Sequence, residues 1–165
     1  MKLSRSVFII GLIVFNIAID QISKVIVRAT VTPYQESDII GKYLILTNVE
    51  NRGAFLGMGS DMNPTLRLIF LLLLPIVVLG YVVYYIFKHK TLDKASLVGF
   101  CCIVGGGIAN VFDRIVFGSV TDFLHIDLGG VFRTGIFNVA DMSVMLGLGL
   151  LLYANFKYKN APESN

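Results

Sequence analysis

Four apolar stretches, each as long as a lipid bilayer's hydrocarbon core is thick, constrain this chain more than any other feature. They run over residues 7–27, 68–87, 95–116 and 136–156, and a helix needs about 20 apolar residues to cross. Over the 165 residues 55% are hydrophobic and only 15% charged, with mean hydropathy +0.75; a soluble domain of this length carries more charge. The expected fold is therefore an all-α membrane protein of four transmembrane helices. Pro75 and Gly80 in the second stretch are tolerable if neighbouring helices satisfy the freed backbone groups.

Basic residues set the orientation. Lys2 and Arg5 precede the first span, Lys88, Lys90 and Lys94 fill the link between the second and third, and Lys157 and Lys159 follow the fourth. An even number of spans puts all three groups on one side, so both termini are expected in the cytoplasm. The external segments, about 28–67 and 117–135, are richer in acids. The first span has the basic start of a signal peptide, but it runs too long and carries Asp20 and Lys24 near its outer end. The expected organisation is one membrane domain over 1–159 and a frayed polar tail over 160–165.

The polar residues inside these spans fall at one level. At 1.5 Å per helical residue, Asp20 lies about 20 Å, Asn110 and Asp113 about 22 to 27 Å, and Asp141 about 23 Å from the cytoplasmic start of their spans. In a core of about 30 Å all four occupy the outer third. Burying carboxylates in lipid is expensive, so several at one depth point to a chemical purpose. Asp20 with Lys24, Asn110 with Asp113 and Arg114, and Asn138 with Asp141 are spaced to share a helix face.

Two external stretches add to this level. Tyr43 to Val49 is β-forming and leads into Glu50-Asn51-Arg52-Gly53-Ala54-Phe55, so a short sheet is expected over the helix ends. Val120 to Ile126 precedes Gly129-Gly130, which reads as an extended segment and a turn that delivers Asp122 close to Asp141. In a strand, His125 would face away from Asp122. Cys101 and Cys102, adjacent in the third span, read as small packing residues, and with His89 and His125 on opposite sides no metal centre or other cofactor is expected.

Together these blocks resemble the bacterial lipoprotein signal peptidases, or signal peptidase II. The resemblance rests on Asp20-Gln21-Ile22-Ser23-Lys24, Asn51-Arg52-Gly53-Ala54, Gly105-Gly106-Gly107-Ile108-Ala109-Asn110-Val111-Phe112-Asp113-Arg114, Val120-Thr121-Asp122-Phe123 and Phe137-Asn138-Val139-Ala140-Asp141, in family order. This chain differs from the common pattern where Phe55 and Leu56 follow Ala54, and where Ala109 stands in place of a glycine. The resemblance implies an aspartic endopeptidase of the bacterial plasma membrane. It would cut the signal peptide from prolipoproteins just before a diacylglyceryl-modified cysteine, near the outer face.

By motif match, Asp122 and Asp141 take the catalytic positions. Asp20, Lys24, Asn51, Gly53, Asn110, Asp113, Arg114, Asn138 and Ala140 take binding or supporting ones. Asp113 beside Arg114, and Asp20 beside Lys24, are expected to neutralise the two cations locally. The expected partners are lipid-modified prolipoproteins, membrane phospholipid and a cyclic peptide inhibitor of the globomycin type; the chain is expected to act as a monomer and to bind no nucleic acid. A small ion or proton carrier is the competing reading, though the inner two-thirds of the spans offers little ionisable lining.

Overall fold

The computed structural model describes residues 4–54 and 62–159. Four long apolar helices dominate it: α1 (Arg5–Thr30), α2 (Pro64–Lys88), α3 (Lys94–Phe117) and α4 (Val139–Lys159). The expected tail over 160–165 and the departure at Phe55 and Leu56 lie outside the described residues. Between the helices run three strands, β1 (Ser37–Ile40), β2 (Leu44–Asn51) and β3 (Val120–Ile126), which form one antiparallel sheet in that order.

Local chemistry explains where the helices begin and end. Ser4 caps α1 by accepting from the Val7 N–H, and Asp93 caps α3 by accepting from the Ser96 N–H at 3.0 Å. Gly118 ends α3 in the left-handed region, at φ 73°, which a residue without a Cβ adopts freely. Helix α2 starts four residues earlier than expected because Asn63 and Pro64 supply a cap and a first-turn proline. Just before Pro75, residues Ile69–Leu73 widen into a π turn, and the Leu74 N–H reaches back to the Ile69 carbonyl.

Helix α3 is the central element, with half of its most apolar window buried. Its three consecutive glycines each face a different neighbour: a Cβ on Gly105 would meet Asn16 of α1 at 2.6 Å, one on Gly107 would meet Leu79 of α2 at 2.6 Å, and one on Gly106 would strike the Ala140 carbonyl of α4. Small residues thus let three helices close onto one. Lower in the bundle, Ile9, Ile86, Leu97, Cys101 and Val104 form the apolar core. Both cysteines are buried and free.

The sheet covers the end of the bundle at which α1 and α3 finish and α4 starts. Register pairs Val49 with Asp122, Glu50 with Thr121 and Asn51 with Val120. Of residues 136–138, expected to begin the last helix, Phe137 is instead bridged to this sheet: its carbonyl accepts from Phe123 and Leu124, and its N–H donates to Leu124 at 2.8 Å. A backbone already paired to a strand cannot start a helix, so α4 begins at Val139.

Candidate active site

Seen from α1, the site begins with a fully buried cation. Asp20, Lys24 and Arg28 follow one another at intervals of four and so share one face. Lys24 has no exposed surface, and its ammonium lies 2.7 Å from Asp20, 2.7 Å from Asp113 on α3, and 2.8 Å from the Asn110 side-chain oxygen. Three oxygens thus lie within 2.8 Å of this one ammonium. Burial without such partners would be prohibitive.

The same two aspartates reach further. Asp20 accepts the Ala140 N–H at 2.8 Å, one of the orphan donors in the first turn of α4, where the helix dipole also favours negative charge. Asp113 accepts from Gln21 at 3.0 Å and lies 3.4 Å from the Arg28 guanidinium. Asp113 makes no direct ion pair with Arg114 and acts on it only at longer range. Residues adjacent in a helix point about 100° apart, so Asp113 faces α1 while Arg114 turns outward and donates to the carbonyls of Gly53 at 2.9 Å and Asn110 at 3.2 Å.

Asn110 passes the network on to Asp141. With its oxygen turned to Lys24, its amide nitrogen donates to Asp141 Oδ1 at 2.9 Å. Asp141 and Asn138 also cap α4 reciprocally: the Asp141 N–H donates to Asn138 Oδ1 at 2.9 Å, and the Asn138 N–H donates to Asp141 Oδ2 at 3.1 Å.

Asp122 comes from the opposite direction, on β3. It is 3% exposed and accepts from two amides, Asn138 at 2.6 Å and Asn51 at 2.8 Å. Asn51 is itself held by the turn that follows β2, since its side-chain oxygen accepts the Gly53 N–H at 2.8 Å and its nitrogen also donates to the Ala54 carbonyl at 3.0 Å. Burial pushes the Asp122 carboxyl up to about 7; the negative charge of Asp141 works in the same direction, against the two amides. Asp122 therefore keeps its proton far more readily than an exposed carboxyl does.

Asp141 lines a cavity of about 410 Å³ together with Phe132, Phe137, Met142 and Met145, and with Arg133, Thr134 and Gly135. Its largely apolar wall suits a greasy segment whose polar bond lies beside the carboxylate. Every residue singled out from sequence as catalytic or supporting thus lies in one connected set drawn from α1, α3, α4, β2 and β3. His125 and Asp127 lie outside it; Asp127 pairs with Arg133 at 2.9 Å.

Sequence reasoning missed Gln21, Arg28, Thr121 and Glu50. Arg28 donates to Thr121 at 2.7 Å, and Thr121 donates to Glu50 at 2.6 Å. The four-residue spacing 20, 24, 28 was the available signal for Arg28.

Comparison with known proteins identifies the family. Residues 12–157 match the family model described as signal peptidase (SPase) II. The chain is 30% identical to a lipoprotein signal peptidase of Maridesulfovibrio salexigens over 92% of its own length and 97% of the relative's. It is 32% identical to that of Borrelia hermsii, covering 96% and 94%, and 37% identical to that of Pseudoalteromonas atlantica, covering 86% and 85%. It also superposes with TM-score 0.84 and 26% identity on a bacterial membrane enzyme solved by the in meso method at 2.3 Å resolution, over 96% of this chain and 93% of the other. With the family model spanning nearly the whole chain and four apolar helices carrying it, the chain belongs to the signal peptidase II family of membrane peptidases.

Proposed function

We propose that this peptidase is an intramembrane aspartic endopeptidase that removes the signal peptide from diacylglyceryl-modified prolipoproteins, cutting just before the lipidated cysteine. The observation that carries the reading is the convergence of Asp122, from a strand, and Asp141, from a helix, on the single residue Asn138. Relatives named lipoprotein signal peptidase support the substrate class.

Peptide hydrolysis needs a base to take a proton from water and an acid to give one to the leaving amine. Asp141, which lines the cavity, is suited to accept the water's proton as its oxygen attacks the carbonyl. Asp122, whose carboxyl burial pushes up to about 7, is suited to give its proton to the carbonyl oxygen as the tetrahedral diol forms; on collapse Asp141 passes the water-derived proton to the leaving amine and a diol hydroxyl returns a proton to Asp122. The two titrate as a unit, and the proton returns to the pair when the products leave. Arg114 and Gly53, tied together at 2.9 Å, form a rim on which the substrate backbone can align. The cavity beside Asp141 is suited to the apolar residues next to the cut, with the acyl chains remaining in lipid. In this reading both termini are cytoplasmic, the site lies near the outer face, and one chain suffices.

The test is cleavage of a synthetic diacylglyceryl-modified prolipoprotein peptide by the purified protein. Asp122→Asn and Asp141→Asn should each lower the rate by roughly 10³-fold or more. Chelators should leave it unchanged, and a globomycin-type cyclic peptide should block it. Absence of cleavage by the parent protein, with ion flux in liposomes instead, would overturn the reading in favour of a carrier.

A further inference from the structure

Arg28 stands one helical turn beyond Lys24, where α1 leaves the bundle, and its side chain joins four elements at once. Its Nε donates to Thr121 Oγ1 of β3 at 2.7 Å. Its Nη2 lies 3.4 Å from Asp113 of α3 and its Nε 3.9 Å from Glu50 of β2. The guanidinium carbon sits 3.9 Å from the centre of the Phe117 ring, at the last residue of α3. That stacking fixes the plane of the group and hence the directions of its donors.

Resting on the proposed function, we infer that Arg28 is a positioning residue that registers strand β3, and with it Asp122, against the helix network that holds Asp141. Thr121 precedes Asp122, so strand alternation turns the two to opposite faces. Asn51 and Asn138 hold the front of the strand through Asp122; Arg28 holds its back through Thr121. The Thr121 hydroxyl accepts from Arg28 and donates its own proton to Glu50 Oε1 at 2.6 Å, and Ser119 donates to Glu50 Oε2 at 2.6 Å. Thr121 therefore has one acceptable orientation, set by a cation on one side and an anion on the other. Through Asp113, Arg28 is joined to Lys24, and through Lys24 to Asn110 and Asp141. It touches neither reacting carboxyl but bears on the support of each.

The arrangement requires arginine and not merely a positive charge. A guanidinium presents separate N–H groups in a rigid fork, so one can serve Thr121 while another faces Asp113. A lysine in the same place supplies a single point charge that serves one partner or the other. The separation of the two carboxyls should then loosen, and misplacement of reacting groups by about 1 Å lowers a rate by as much as 10²-fold.

The experiment measures kcat, KM and thermal unfolding of the full chain with the lipidated peptide, for Arg28→Lys, Thr121→Val and the double variant. Arg28→Lys and Thr121→Val should each lower kcat by about tenfold or more with KM within about twofold. The double variant should be little worse than either single, because both remove the same restraint. Unchanged kcat per folded molecule in Arg28→Lys, or losses that multiply in the double variant, would overturn the inference. If Arg28→Lys does not fold, Thr121→Val alone decides by the same kcat criterion. Asp122→Asn in the same assay separates the two ideas: activity retained there removes the aspartic reading, whereas activity lost there but intact in Arg28→Lys removes only the role of Arg28.

Discussion

Asn138 donates its side-chain amide to Asp122 at 2.6 Å, while its side-chain oxygen and backbone N–H cap the helix that carries Asp141. Anchoring and capping therefore reside in different atoms of one residue. Serine at this position keeps an oxygen for the cap but has no amide to reach Asp122. Asn138→Ser should leave the melting temperature near that of the parent while lowering kcat by at least tenfold. Asn138→Ala should lose the cap too, at about 0.5–2 kcal/mol in stability. Thermal unfolding and peptide cleavage, measured on both variants, check the separation.

The pH dependence follows from Asp122. With burial holding its carboxyl at about 7, helped by the charge of Asp141, the proton it must supply is lost as pH rises through that value. The rate constant kcat/KM should therefore fall on the alkaline side of about pH 7. Asn51 donates to the ionised form at 2.8 Å and so lowers this value. Removing the amide in Asn51→Ala should move the alkaline limb to higher pH by about one unit, given about 1.5 kcal/mol for a hydrogen bond to a charged group. A limb that moves downward, or stays fixed while activity persists, contradicts the assignment.

How much of this was legible in sequence depends on the range of the forces involved. Span positions follow from runs of side chains, and Asp20, Asn110, Asp113 and Asp141 stood out because polar groups in lipid are costly wherever they point, whereas Asp122 and Asn51 stood out only through the short motif blocks of the external segments. The partner of Asp113 did not, since Arg114 is its neighbour along the chain but Lys24 and Arg28 are its neighbours across a helix contact. Strand β1 was also missed: all four of its residues are exposed, so no alternation marks it, and it exists through pairing with β2. The displaced start of α4 has a similar cause, because Phe137 looks as helical as its successors until β3 claims its backbone.

Helix spacing at the site rests on missing side chains. A Cβ on Gly106 would strike the carbonyl of Ala140, the residue whose N–H is bound by Asp20 and which precedes Asp141. Gly106→Ala should force α3 and α4 apart, lower stability by about 1–3 kcal/mol as overpacking does, and cut activity with it. Gly149→Ala on α4, where a Cβ meets nothing within 4 Å, should be neutral in both respects. Comparing the two variants in thermal unfolding and cleavage isolates the contact from the change in residue type.

The buried triad of Asp20, Lys24 and Asp113 makes a further, signed prediction. All three side chains are fully buried, with Lys24 at 2.7 Å from each carboxylate. Lys24→Met takes the nearest cation from both carboxylates, leaving Asp113 only the Arg28 guanidinium at 3.4 Å, and breaking a buried ion pair from one side typically costs about 3–5 kcal/mol. Combining it with Asp113→Asn removes one of the stranded charges, so the double variant should be more stable than Lys24→Met alone. Asp113→Asn by itself keeps one carboxylate against Lys24, and it should lower activity less than Asp141→Asn while lowering the melting temperature more. Asp141→Asn should behave in the opposite way, because an asparagine there keeps one oxygen for the Asn110 amide or the Asn138 N–H but cannot take a proton from water. Thermal unfolding with single-turnover cleavage, run on the four variants in one lipid environment, reads both orders; equal loss of activity in Asp113→Asn and Asp141→Asn with both proteins folded would contradict the division between a supporting triad and a reacting pair.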